Sequence, residues 1–345
     1  MLDILEQTDD ELKSWFTARG LPGYRADQIH NWLFRRRADQ FGQMTDLPRG
    51  LRTELANHFR ILSATVAAHQ KAIDGTEKLL LELSDGHRIE CVLLRDDKDH
   101  RTICISTQVG CAMGCVFCAS GLDGVARNLT GGEITEQMLQ LQRLLPQEER
   151  LSHIVIMGMG EPLANLEQLL PALATATSPD GLGISGRRIT ISTVGLPAAI
   201  RRLADQGCPY HLAVSLHAPD DELRSRIVPV GRKTNIASVL AATDHYFNVT
   251  GRRVTFEYVL LAGLNDQPEH AHRLAVLLKG RPSLVNLIPY NPVQGLPYGT
   301  PPPTATAKFA DILVAQGLNV KIRYRKGERI DAACGQLRRS RAGLS

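Results

Sequence analysis

From residue 100 onward, runs of β-branched and apolar residues alternate with stretches of helical period, and this alternation constrains the chain more than any other feature. The apolar runs are Ile103-Cys-Ile-Ser, Ile154-Val-Ile-Met, Arg188-Ile-Thr-Ile-Ser, Leu212-Ala-Val-Ser-Leu, Val254-Thr-Phe-Glu-Tyr-Val and Val285-Asn-Leu-Ile-Pro. Helices are expected between them at about 132–145, 164–177, 196–206, 236–248 and 269–279, with another near 304–316. Strands joined through helices pair in parallel, which gives either a doubly wound sheet or a partial barrel. In both, functional groups gather at the C-terminal ends of the strands.

The remaining third of the chain reads differently. Residues 1–60 form a helical module: Thr8 caps Asp9-Asp-Glu-Leu with Glu11 at the capping-box position, and Ile29, Trp32 and Leu33 share one face of a second helix. Arg35-Arg36-Arg37 reads as a solvated helix end or a phosphate contact. Residues 61–99 switch to period two around the turn signal Ser84-Asp-Gly, as in a small β-hairpin extension. The core domain then spans 100–325, followed by a C-terminal segment, 326–345.

An acidic N-terminus and the lack of any long apolar stretch point away from export and membranes, towards the cytoplasm. Seven cysteines, an odd number, in such a chain suggest thiols kept for chemistry rather than a disulfide framework.

Three of them stand together in Gly110-Cys111-Ala-Met-Gly-Cys115-Val-Phe-Cys118, directly after a predicted strand. Zinc asks for four ligands, and a cubane cluster is normally held by four cysteines. A cube held by three leaves one iron open to a further ligand. A structural zinc with Cys104 as fourth ligand, or a redox dithiol, are the alternatives. Further along, Met157-Gly-Met-Gly-Glu-Pro places Glu161 after glycines that allow close backbone approach to a ligand. A second Gly-Gly-Glu at Gly131-Gly132-Glu133 follows a loop, with Thr130 positioned to cap the next helix.

The CxxxCxxC run with Phe117 before its third cysteine resembles the radical S-adenosylmethionine enzymes. That resemblance implies a partial (β/α)6 barrel, a [4Fe–4S] cluster on Cys111, Cys115 and Cys118, and S-adenosylmethionine chelated by the open iron and reductively cleaved to a 5′-deoxyadenosyl radical. Six blocks narrow it: Gly110 to Thr130, Met157-Gly-Met-Gly-Glu-Pro-Leu, Arg188-Ile-Thr-Ile-Ser-Thr-Val-Gly, Ser215-Leu-His-Ala-Pro, Asn286-Leu-Ile-Pro-Tyr-Asn-Pro and Ile330-Asp-Ala-Ala-Cys-Gly-Gln-Leu. Together they are similar to the bacterial enzymes that methylate carbon 2 of an adenine in 23S rRNA, at the peptidyl transferase centre, and in some members of an adenine in tRNA anticodon loops.

By that resemblance, Cys334 is the S-methylcysteine that carries the methyl group, Cys104 the resolving thiol that forms a transient disulfide with it, and Glu90 the proton acceptor. The similarity assigns S-adenosylmethionine contacts to Gly160, Glu161, Ser192, Ser215, Leu216, His217 and Asn291, with Phe117 against the adenine. It implies two S-adenosylmethionine molecules per turnover, 23S rRNA and tRNA as partners, an external electron donor such as flavodoxin, and a monomer that reads folded RNA partly through residues 1–60. Cys91 and Cys208 match no assigned role and read as small hydrophobes. Two alternatives remain: a relative that methylates carbon 8 of the same adenine, as antibiotic-resistance enzymes do, and a non-catalytic, metal-bearing RNA-binding module.

The net charge of +4 hides a gradient. Residues 321–345 hold eight basic side chains (Lys321, Arg323, Arg325, Lys326, Arg329, Arg338, Arg339, Arg341) against Glu328 and Asp331, and they flank Cys334.

Overall fold

Strand pairing follows chain order from one edge of the main sheet to the other. In the computed structural model, which describes residues 1–96, 98–323, 327 and 330–338, β1 (Thr65–Lys71), β2 (Glu77–Glu82), β3 (Arg88–Arg95) and β4 (Arg101–Cys104) pair antiparallel in succession. Six parallel partners then follow: β5 (His153–Ile156), β6 (Ile189–Thr193), β7 (His211–Ser215), β8 (Val254–Leu260), β9 (Ser283–Pro289) and β10 (Asn319–Ile322). A doubly wound sheet reverses its strand order at a switch point. Here the order never reverses, so right-handed crossovers lay every helix on one face, as in an incomplete barrel.

The six predicted apolar runs correspond to β4–β9. The crossovers hold the helices Gly131–Gln142, Leu166–Thr177, Pro197–Asp205, Ile236–Thr250, Pro268–Leu278 and Pro303–Ala315, close to the expected spans. Three elements had no apolar signature. β10 is short and alternates exposed with half-buried residues. β1 is exposed along its whole length, so the expected hairpin is a three-stranded extension continuous with the parallel sheet. The short helix Asp221–Ile227 starts where Asp220 accepts a hydrogen bond from the Leu223 N–H at 2.9 Å.

The N-terminal module forms as its caps predict: the Thr8–Glu11 capping box is present, and Leu12 and Phe16 are buried. Ile29, Trp32 and Leu33 are buried together, with the helix Arg25–His30 widening into a π-turn over Asn31–Arg35. Of the arginine triplet, Arg36 stands exposed at the helix end, whereas Arg35 and Arg37 are engaged with main-chain carbonyls. Arg37 donates to the carbonyls of Leu145 at 2.7 Å and Pro146 at 3.0 Å, Arg35 donates to Pro179 O, and Arg36 lies over the Trp32 ring. Two of the three cations thus fasten the module to the sheet domain by caps on main-chain carbonyls.

The junction between the two is held by a buried carboxylate. Glu136, on Gly131–Gln142, accepts hydrogen bonds from Ser63 N (2.9 Å), Ser63 Oγ (2.7 Å) and Ala64 N (2.9 Å). Burial pushes its carboxyl up and these donors oppose the rise. Glu136→Ala strands two buried N–H groups, each costing about 1–3 kcal/mol. We expect it to lower unfolding stability by about 3 kcal/mol in urea titration, against less than about 1 kcal/mol for exposed Glu148→Ala.

Candidate active site

The cysteine run lies just past the C-terminal end of β4. Beyond Ser106 and Thr107 the chain forms a short strand, Gln108–Gly110, paired antiparallel with Val125–Asn128. The loop between these strands carries Cys111, Cys115 and Cys118, which line a cavity of about 130 Å³. Burial raises all three thiols, Cys111 to about 11, so they remain protonated until a metal centre displaces the proton. Among the described residues no three His, Cys, Asp or Glu side chains converge on a single ion. A cluster needs less convergence, because each cysteine bonds a different iron. Cys104, the fourth ligand that a zinc would require, lines the other cavity.

Opposite the cysteines stands the loop that follows β5. Gly158 and Gly160 pass against the β4 segment so closely that a Cβ would lie 2.6 Å from Ile105 O and 2.7 Å from the Gln108 side chain, and Gly160 has φ +106°. This brings Glu161 into the interior, where it is 2 % exposed. Its N–H donates to Gln108 Oε1 at 2.8 Å, Oε1 accepts from Leu163 N at 3.0 Å, and Oε2 accepts from Val194 N at 2.8 Å. Burial raises the carboxyl and these donors oppose the rise.

Ser192 at the end of β6, Ser215 at the end of β7, and His217 line the same cavity. His217 is buried with φ +59°. Asn265 fixes this unusual turn, donating from Nδ2 to His217 O (2.9 Å) and Val259 O (2.7 Å). His217 Nδ1 accepts from Val259 N at 3.0 Å, which assigns the ring proton to Nε2. Burial lowers the imidazole to about 3, so it stays neutral. Among the described residues Nε2 has no partner, an orphaned donor on a cavity whose lining also includes the hydroxyls of Ser192, Thr193 and Ser215 and the thiols of Cys111, Cys115, Cys118 and Cys334. Phe117 meets the His217 ring edge-on at 4.7 Å. Leu216 is buried with its N–H on Glu257 O at 3.0 Å.

The second cavity, about 430 Å³, opens beside the first and is lined by Cys104 and Asn291 among others. Among the described residues four line both: Met157, Glu257, Ile288 and Cys334. The Cys334 segment is fastened from several directions. Asn291 Nδ2 donates to Cys334 O (3.1 Å), Ala119 N to Gly335 O (2.7 Å), Gln336 Nε2 to Pro292 O (2.8 Å) and Ser120 Oγ to Leu337 O (2.6 Å). Asn291 is thus placed against Cys334, in the larger cavity rather than the smaller.

Cys104 and Cys334 are both free thiols. Burial pushes Cys104 up to about 12, and Arg323 opposes that rise. Glu90 lines neither cavity: it lies beneath the C-terminal segment, with Oε1 2.9 Å from Lys78 Nζ and Oε2 accepting from Arg338 N at 2.9 Å. Lys78 also donates to Asp331 O at 3.3 Å. Cys91 is fully buried and Cys208 half-buried, and neither lines either cavity. Of the basic tail, Lys321 and Arg323 line the larger cavity, whereas Arg325, Lys326, Arg329, Arg339 and Arg341 lie outside the described residues.

In the sequence, Lys78, Glu257 and Asn265 carry no site role, Asn286 is marked only as part of a strand block and Arg323 only as part of the basic tail. A signal existed for two of them: Glu257 and Asn286 each interrupt an otherwise apolar strand at its centre.

Comparison with known proteins matches residues 105–275 to the radical SAM superfamily and residues 2–61 to the ribosomal RNA large subunit methyltransferase N-terminal domain. The chain is 62% identical over 338 residues to a probable dual-specificity RNA methyltransferase RlmN of Rhodopirellula baltica, covering 98% of this chain and 91% of that protein. It is 44% identical to the Bacillus subtilis protein of the same name over 330 residues, 95% of this chain and 91% of that one. A crystal structure of a radical SAM methyltransferase from Sphaerobacter thermophilus superposes with a TM-score of 0.95 at 43% identity, covering 99% of this chain and all of that one.

A side chain at Gly160 would collide with Gln108, whose Oε1 holds the Glu161 N–H. Gly160→Ala should therefore weaken S-adenosylmethionine binding at least about tenfold by calorimetry, a loss of about 1.4 kcal/mol, while the protein stays folded by circular dichroism.

Proposed function

The chain belongs to the RlmN family of radical S-adenosylmethionine RNA methyltransferases, and from that premise we propose that it methylates carbon 2 of an adenine in 23S rRNA, at the peptidyl transferase centre, and of an adenine in tRNA anticodon loops. It is an enzyme built on the partial barrel of its superfamily, and its cofactors are a [4Fe–4S] cluster and S-adenosylmethionine. The observation that carries the reading is the position of Cys334 on both cavities.

When bound, the cluster and S-adenosylmethionine supply a methyl group and a hydrogen-abstracting radical to the smaller cavity. Cys111, Cys115 and Cys118 are the residues that would hold the cluster. Glu161 receives the methionine ammonium, Gly160 and Leu216 give the backbone path around it, and Ser192, Ser215 and the orphaned His217 Nε2–H offer hydrogen bonds. Neutral His217 serves as donor without adding charge beside a sulfonium. Asn291 lies on the larger cavity, where its Nδ2 orients the Cys334 carbonyl, so its part in cofactor binding would pass through the Cys334 segment.

Cys334 takes up the methyl group on the smaller cavity and delivers it to the base in the larger one. Once the carried methyl group has given up a hydrogen atom to that radical, its carbon bonds carbon 2 of the base and so joins protein and RNA through the Cys334 sulfur; the one electron that this adduct must lose would pass to the bound cluster. Glu90 accepts the proton from carbon 2, which requires its Arg338 contact to open. Cys104, having given up its proton, then attacks the Cys334 sulfur; the sulfur–carbon bond breaks with its electron pair passing to the product carbon, which takes up a proton to become the new methyl group, and a disulfide remains for cellular reductants to reopen. The raised Cys104 thiol is protonated at rest, which protects it until substrate arrives.

The partners that fit are 23S rRNA and tRNA, with residues 1–60 assisting recognition of folded RNA, and an external electron donor such as flavodoxin; the chain itself is read as a cytoplasmic monomer. Among the described residues no helix is long and apolar enough to cross a membrane.

Digesting RNA modified by the reconstituted enzyme should yield 2-methyladenosine; 8-methyladenosine alone would overturn the carbon-2 assignment. Cys334→Ala should abolish methylation while the anaerobically purified protein keeps its iron. Cys104→Ala should accumulate protein linked to RNA on denaturing gels, and wild-type turnover in that variant would contradict the release step.

Glu90 gives a pH signature. Burial raises its carboxyl and Lys78 is the leading opposing charge. Removing that charge in Lys78→Met raises it further, so the ionised base appears only at higher pH. The acid limb of the methylation rate should move to higher pH in Lys78→Met and stay near the wild-type position in Lys78→Arg.

A further inference from the structure

Two buried acceptors beside the larger cavity have no role in the contacts described so far. Glu257 at the centre of β8 and Asn286 on β9 are register partners, and the same row continues to Ser215 on β7 and Lys321 on β10. Glu257 is 4 % exposed. Its Oε1 accepts a 3.0 Å hydrogen bond from Asn286 Nδ2. A carboxylate only accepts, so this contact fixes the amide's orientation and leaves Asn286 Oδ1 as a second acceptor. Among the described residues neither Glu257 Oε2 nor Asn286 Oδ1 has a hydrogen-bond partner. Burial raises the Glu257 carboxyl, and Arg323 is the leading opposing charge. Buried acceptors without donors cost free energy, and a ligand that brings donors offsets that cost.

Resting on the adenine-methylation reading, we infer that Glu257 Oε2 and Asn286 Oδ1 receive the exocyclic 6-amino group of the target adenine. That amine carries two N–H donors, and no other edge group of a 6-aminopurine donates twice. A 6-oxopurine would set oxygen against oxygen at the same place, so guanine and hypoxanthine are rejected by repulsion as well as by a lost bond. The cofactor's own adenine carries the same amine. Asn286, however, lines only the larger cavity, together with Cys104, whereas the cluster cysteines line only the smaller. The RNA base is therefore the occupant, and a ring held by its amine here shares its cavity with the Cys334 sulfur.

The test uses stem-loop RNAs carrying adenosine, purine riboside or inosine at the target position, with the full-length, anaerobically reconstituted enzyme. Methylation is measured as kcat/KM by mass spectrometry, and RNA affinity by fluorescence anisotropy. Purine riboside, which lacks the amine, and inosine should each fall on the order of 10²-fold below adenosine in kcat/KM. Glu257→Gln and Asn286→Ala should shrink the ratio of adenosine to purine riboside to within about threefold, and Glu257→Gln should also relax the rejection of inosine, since its amide can donate.

Equal kcat/KM for adenosine and purine riboside in the wild type overturns the inference and leaves the methyltransferase reading intact. No methylation of adenosine overturns that reading, and the inference with it. Weaker S-adenosylmethionine binding in both variants, with base discrimination unchanged, assigns the acceptors to the cofactor and also overturns the inference. The wild-type comparison decides the matter whether or not the variants fold.

Discussion

Everything in the site depends on a sheet that winds in one direction. Because each parallel strand pairs with its sequence neighbour, from β4 to β10, the strand ends form one continuous rim rather than two halves meeting at a crevice. The rim receives Glu161, Ser192, Ser215 and His217 from loops and ends that are far apart in sequence. The antiparallel extension continues the same sheet past β4, and through Lys78 and Glu90 it supplies the groups on which the C-terminal segment rests.

That segment turns a cofactor site into a two-chamber arrangement. Residues 331–338 are held by donors and acceptors from the cysteine loop, the loop after β9, β2 and β3. Most of these contacts reach the segment's main chain, which leaves the Cys334 side chain to face both cavities. On the proposed reading, a sulfur carrier between two chambers would separate the place where a methyl group is acquired from the place where it is used. The same division places Cys111, Cys115 and Cys118 on one cavity and the raised thiol of Cys104 on the other, so the proposed cluster and the proposed disulfide would draw on different sulfurs.

Much of this was legible in the sequence. Long apolar runs such as Ile154-Val-Ile-Met and Val254-Thr-Phe-Glu-Tyr-Val announced buried parallel strands, because both of their faces are covered. The Thr8 and Thr130 capping boxes were readable because a cap is a local hydrogen-bond pattern. The exposed β1 and the alternating β10 carry no such signature; they are held by pairing with a neighbour, which is a tertiary effect. The roles of Arg35 and Arg37 were hidden for the same reason, since their partners are main-chain carbonyls more than a hundred residues away. In the site, the clustered cysteines and the Gly-Glu turn were visible from spacing, and the likeness to a known family named the rest. The ion pair of Lys78 with Glu90, the Asn265 brace under His217, and the register pair Glu257–Asn286 needed strands to be placed side by side.

The central claim is that Cys334 carries the methyl group between the two cavities. Incubating the anaerobically reconstituted protein with S-adenosylmethionine bearing a trideuterated methyl, without RNA, and mapping its peptides by mass spectrometry tests this most directly. The account predicts a deuterium-labelled methyl on the peptide containing Cys334 and on no other cysteine peptide. RNA methylation by a protein that never carries label on Cys334 would contradict it.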